Sequence, residues 1–175
     1  MRFLPTPGIQ LPRRALRSVA AVAIVLFVAG CGDATGPVAD GIGNVTASGA
    51  VSLSGSGLAR QQAFGTSMFQ VLIMPRAAGP AYGWRLHIIG FAGRPAVGTH
   101  DFLGGTEGLT ATLYYTSNGS TRMFKSVSGE FTVSSYSESV MKGTFRFMAE
   151  ELPESTTVQV EGSFAATCPP PFSCI

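Results

Sequence analysis

The sequence predicts an all-β fold, an antiparallel β-sandwich or partly closed β-barrel of about eight strands, preceded by a signal peptide and a flexible tether. Three observations carry that reading. Apolar residues recur at every second position between clusters of Gly, Pro, Ser and Asn, the pattern of half-buried strands closed by turns. Helical periodicity is hard to find beyond the N-terminal apolar run. From Val45 to Ile175 the chain has about 130 residues, the usual size of one domain with one core.

The N-terminus reads as a leader, residues 1–30. Arg2, Arg13, Arg14 and Arg17 form a basic stretch without acids, followed by the apolar run Val19–Gly30 and then Cys31. As a helix that run would rise about 18 Å, well short of a hydrocarbon core of roughly 30 Å, so it is too short for a membrane span. The tetrapeptide Val28-Ala29-Gly30-Cys31 resembles the bacterial lipobox, an aliphatic residue and two small ones before the cysteine that receives diacylglycerol. Cys31 is therefore the expected lipidation site, and the expected first partner of the chain is a membrane, through that lipid. By resemblance to lipoprotein sorting rules, Gly32 carries no inner-membrane retention signal, so an outer-membrane address is expected in a cell with two membranes. The leader also holds four of the 12 basic residues, and those remaining fall short of the 10 acids. No basic stripe with interleaved aromatics is left, so nucleic acid is not an expected partner.

Residues 31–44 are rich in glycine and poor in large apolar groups, as a tether should be. The domain, 45–175, then offers candidate strands at Thr46–Leu53, Met68–Met74, Trp84–Phe91, Leu109–Thr116, Arg122–Val127, Glu130–Ser135, Val140–Ala149 and Thr157–Ala166. In Val140–Ala149, Met141, Phe145, Phe147 and Ala149 share one face, and Lys142, Thr144 and Arg146 share the other. Val158, Val160 and Phe164 repeat the logic, as do Phe131 and Val133, and the three segments predict a meander. Each carries a glycine two residues before a phenylalanine (Gly129, Gly143, Gly162), which leaves room for a neighbouring ring or marks a bulge. Asn118-Gly119 predicts a hairpin turn.

Setting Cys31 aside, Cys168 and Cys174 remain, and an even remainder in an exported chain predicts a disulfide. Closing so short a loop is worth about 2 kcal/mol on the chain-entropy model. The alternatives are a redox or a metal pair; the spacing does not match C-x-x-C, and two histidines are few for a zinc site.

Chemistry-bearing constellations are sparse. His100-Asp101 places imidazole beside carboxylate, yet neighbours on an extended chain point to opposite faces, so the bland reading is a turn. His87 alternates with Trp84, Leu86 and Ile88 and belongs with Arg85 on a wet face. The glycine-rich Gly104–Gly108 and Gly55–Gly57 lack the lysine and helix of a phosphate cradle and read as turns. Tyr82, Trp84, Tyr114, Tyr115 and Tyr136 either fill the core or line a ligand cleft. The sequence predicts no catalytic residue, metal ligand or cofactor.

The meander segments Ser128–Ser135, Lys142–Ala149 and Val158–Phe164 resemble a family of uncharacterised small bacterial lipoproteins that end in such a domain. The resemblance covers about the last third of the domain and implies an exported, lipid-anchored β-sandwich or partly closed barrel, with no functional residue to carry over. The function expected is that of a non-enzymatic binding or structural module of the cell envelope, whose partner, an envelope protein or polymer, is unknown. Two alternatives stand beside it: a carrier of a small apolar ligand in a barrel cavity, and a hydrolase.

Overall fold

Strict alternation along Val140–Glu151 puts Met141, Phe145, Phe147 and Ala149 in the core and leaves Lys142 and Arg146 in water. The same rule builds the rest of the chain. A computed structural model describes residues 38–64, 67–77, 83–102, 108–137, 139–169 and 174. Its strands are β1 (Ile42–Gly49), β2 (Leu53–Phe64), β3 (Met68–Met74), β4 (Gly83–Gly90), β5 (Gly98–Asp101), β6 (Leu109–Ser117), β7 (Ser120–Tyr136), β8 (Val140–Glu151) and β9 (Thr156–Thr167).

Eight of them close into an antiparallel barrel in the order β1-β2-β3-β4-β6-β7-β8-β9, with β9 pairing back onto β1 from Gly43↔Phe164 to Gly49↔Val158. Of the two expected forms, sandwich or barrel of about eight strands, the barrel is the one present, and it is closed. The ninth strand, β5, lies on β7 beyond the point where β6 leaves it: β6 pairs with Ser120–Lys125, and β5 with Glu130–Val133. The meander is present as β7-β8-β9.

Five features differ from the sequence reading. The barrel starts at Ile42 rather than Val45, and the chain turns at Ala50–Ser52 inside the segment expected to be one strand. The two expected strands at Arg122–Val127 and Glu130–Ser135 are one, β7, with register shifts at Ser126/Ser128 and Val133/Ser135 that let it bend. His100-Asp101 lies on a strand, not in a turn. The twelve-residue β2 was not expected at all, because its inward positions are held by small residues. A Cβ at Gly57 would lie 2.1 Å from the Met74 carbonyl, and one at Gly55 3.0 Å from Trp84 Nε1, so close neighbours require the glycines there.

The interior is filled by rings facing glycines. Phe145 pairs across the ladder with Gly162, and Phe164 with Gly143; a Cβ at either glycine would meet the opposing ring at 2.5 Å and 2.8 Å. Phe69 covers Gly90 in the same way. Phe131 stacks on Phe164 at 5.3 Å, and Phe102, delivered by the segment after β5, meets Phe147 edge-on at 5.1 Å. All six rings are buried.

The barrel has two unlike ends. At the hairpin end the two-residue turn Asn118-Gly119 joins β6 to β7, both residues at positive φ as a tight hairpin requires. There Arg122 joins three segments, donating to Glu151 Oε2 at 2.9 Å, the Ala50 carbonyl at 3.1 Å and Thr156 Oγ1 at 3.1 Å. At the other end the chain enters β1 and leaves β9, so that end gathers the chain entry, the long β4–β6 excursion and the C-terminal tail.

Candidate functional site

Cys31 lies outside the described residues. Cys168 and Cys174 form the predicted disulfide, with Cα atoms 6.0 Å apart. Both cysteines are held by further contacts. The Cys168 amide donates to the Ser139 carbonyl at 2.9 Å, Cys174 Sγ lies 3.4 Å from the Gln61 carbonyl oxygen, and Arg94 Nη1 donates to the Cys174 carbonyl at 2.6 Å. Arg94 in turn lies 3.8 Å over the Tyr136 ring, whose hydroxyl donates to the Pro95 carbonyl. Burial raises the Tyr136 pKa above the usual phenol value. These contacts join Cys168, Cys174 and the β4–β5 link to the rim as one cap. Among the described residues no group of three or more His, Cys, Asp and Glu is placed to hold a metal.

The two histidines lie on different strands, His100 on β5 and His87 on β4. His100 Nε2 lies 2.8 Å from the Ala96 carbonyl, which can only accept, so that nitrogen carries the proton. Asp101 is exposed at the end of β5 and lines the same pocket as His100. This open pocket of about 320 Å³ lies at the chain-entry end and is lined also by Phe69, Phe91, Arg94 and Leu109. His87 stands on the outer wall. With the Gln70 amide as assigned, Gln70 Nε2 donates to His87 Nδ1 at 3.1 Å, and the Tyr114 ring packs on the imidazole edge-on at 5.3 Å. Desolvation, helped by the nearby Arg85 charge, holds the His87 pKa below the usual histidine value.

The aromatic residues divide by wall. Trp84 and Tyr115, register partners on β4 and β6, pack against the core at the hairpin end. Tyr114 faces outward under the Arg85 guanidinium, 4.4 Å from its ring centre, and Tyr136 serves the cap. Tyr82 lies outside the described residues.

What sequence reasoning missed is the outer wall of β2, β3, β4 and β6. The ladders place Leu58 beside Met74, Arg85 beside Tyr114 and Tyr114 beside Met123, which is 50% exposed. A parallel row runs Arg60, Leu72, His87, Thr112, Lys125. From Gly41 to His100 the sequence has no Asp or Glu, while Arg60, Arg76, Arg85 and Arg94 fall there. The signal was readable as a run without acids, but only the strand order gathers it into one surface.

The opposite wall is different. Arg146 pairs with Glu161 at 3.0 Å and Lys142 with Asp40 at 2.8 Å. Charges outside and phenylalanines inside are the reverse of a bilayer-spanning barrel, which keeps an apolar band outward and a polar lumen. No helix among the described residues is long and apolar enough to cross a membrane. Comparison of the chain with protein-family models, with curated proteins and with solved structures finds no match.

Proposed function

We propose that this chain is a lipid-anchored envelope protein whose barrel is a non-enzymatic binding module, acting through its outside rather than its lumen. The observation that supports this most is the packing of the interior, where Phe131, Phe145 and Phe164 lie against one another and over facing glycines. A carrier barrel needs that volume for its cargo. The contact surface is then the wall of Leu72, Arg85, His87 and Tyr114, which is apolar, basic and free of acids, and fits an envelope protein or polymer bearing negative charge.

The pocket at the chain-entry end favours a second reading, binding of a small apolar molecule at the rim, with Phe69, Phe91 and Leu109 as its apolar lining. The test is a native pull-down from cell envelopes with the wild-type protein and a Leu72→Ser/Tyr114→Ser variant, with intact mass measured for the mature N-terminus and for whatever co-purifies. The module reading expects a partner that the wall variant loses and a diacylglyceryl mass on Cys31. A co-purifying small molecule with no protein or polymer would favour the rim ligand instead. An unmodified Cys31 would remove the anchor.

A further inference from the structure

The chain-entry rim carries a row of large apolar side chains on the outside of the barrel. Phe64, the last residue of β2, pairs with Met68, the first of β3. Phe69 pairs with Gly90, so the next outward position on β4's path is Phe91, beside Met68. Phe64 is 43% and Phe91 44% exposed, and Val97, beyond them in the link to β5, is 60% exposed. The Gly93 amide donates to the Ser67 carbonyl at 3.3 Å, which holds the link against the β2–β3 turn and keeps Phe64 and Phe91 on the same rim.

We infer that this rim seats against a lipid surface and fixes the orientation of the barrel, so that the hairpin end points away from the membrane. The inference rests on the anchoring reading above. Three further observations choose lipid over a protein partner. First, β1 starts toward this end, Ile42 pairing with Leu58 six residues before Phe64, so the chain that leads back to Cys31 enters on the strand next to β2. The ten residues between Cys31 and Ile42 reach at most about 35 Å, which keeps the rim within easy reach of a bilayer holding that cysteine.

Second, a cation stands behind the row: Arg60 lies four residues up β2 from Phe64, about 13 Å along the strand. The headgroup layer on one side of a bilayer is roughly 5–8 Å deep, and a long basic side chain that reaches down covers the remainder. Phenylalanines at the acyl boundary with cations level with the phosphates is the arrangement of interfacial anchors. Third, no acid lies on β2, β3 or β4, although Asp101 lines the same pocket as Phe91.

The test uses the full chain reconstituted into vesicles of phosphatidylethanolamine and phosphatidylglycerol with dibrominated acyl chains, which quench tryptophan on contact. The protein has one tryptophan, Trp84, near the hairpin end. In a Trp84→Phe background, Phe91→Trp and Phe64→Trp should lose at least half their emission to the brominated lipid, and Leu152→Trp at the hairpin end should lose none. Should that background fail to fold by circular dichroism, the same readout comes from the difference between Phe91→Trp and the wild type. Unquenched rim reporters, or equal quenching at Leu152, would overturn the inference. The mass of the cell-derived N-terminus reports the anchor separately. A lipid on Cys31 with an unquenched rim removes the orientation alone, and a quenched rim without that lipid removes the anchor alone.

Discussion

The two halves of the barrel obey the same inward rule and differ entirely outside. Along β7, β8 and β9 the inward residues are phenylalanine, valine and alanine, and the outward ones alternate charge of both signs, as in Arg146 with Glu161. Along β2, β3 and β4 the inward residues are apolar or small except Gln61, and the outward ones mix Leu58, Leu72, Met74 and Ile89 with Gln62, Gln70, His87 and scattered arginines, with no acid. A closed barrel needs only its interior to be apolar. An outer wall that is apolar as well is not required by the fold, which is why the β2–β4 side is where binding is expected.

The largest effect should come from the interior, which both halves share. Phe131→Ala removes a ring packed against Phe69, Phe102 and Phe164, and should destabilise by about 3–5 kcal/mol in equilibrium denaturation. The disulfide follows. Cys168→Ser with Cys174→Ser should lower stability by about 2 kcal/mol, read as a lower denaturation midpoint. On the β2–β4 side, Gly90→Ala drives a methyl into the Phe69 ring and should cost about 1–3 kcal/mol. Phe69→Leu should recover part of that loss in the double variant.

A smaller effect separates the ends. The Arg122 hydrogen bonds hold the Glu151 pKa below the usual carboxylate value. A carboxyl group whose folded pKa is depressed adds stability above its unfolded value and loses it as pH falls through the folded one. The Glu151→Gln variant should therefore show a shallower loss of thermal stability than the wild type as pH drops from about 5 towards 3. The smallest effects sharpen the contrast between walls. Arg146→Ala, in an exposed pair, should change stability by less than about 0.5 kcal/mol, and Tyr114→Ser similarly little. If the wall reading holds, only Tyr114→Ser weakens partner retention.

How much was legible in the sequence follows from the same contrast. β8 and β9 could be read because their outward residues are polar, so that alternation is visible. β3 was found as an apolar run, but nothing in such a run says that half of it meets water. β2 was missed because after Leu53 its inward set, Gly55, Gly57, Ala59, Gln61 and Ala63, contains no large apolar side chain to mark a period. β7 was split because the extra residue at Val127 inverts the alternation midway. The four-residue β5 has no pattern of its own and forms on the β7 edge that β6 leaves free. The disulfide was legible from parity, whereas the outer wall and the rim depend on strand order, which no local pattern encodes.

The ladder between β9 and β1 joins residues 43–49 to residues 158–164, the first strand to the last. Every other barrel seam joins strands closer together in the chain. Such a contact sets the pace of folding, since more than a hundred residues must be in place before it forms. The barrel therefore stays open along this seam until β9 is free to pair with β1.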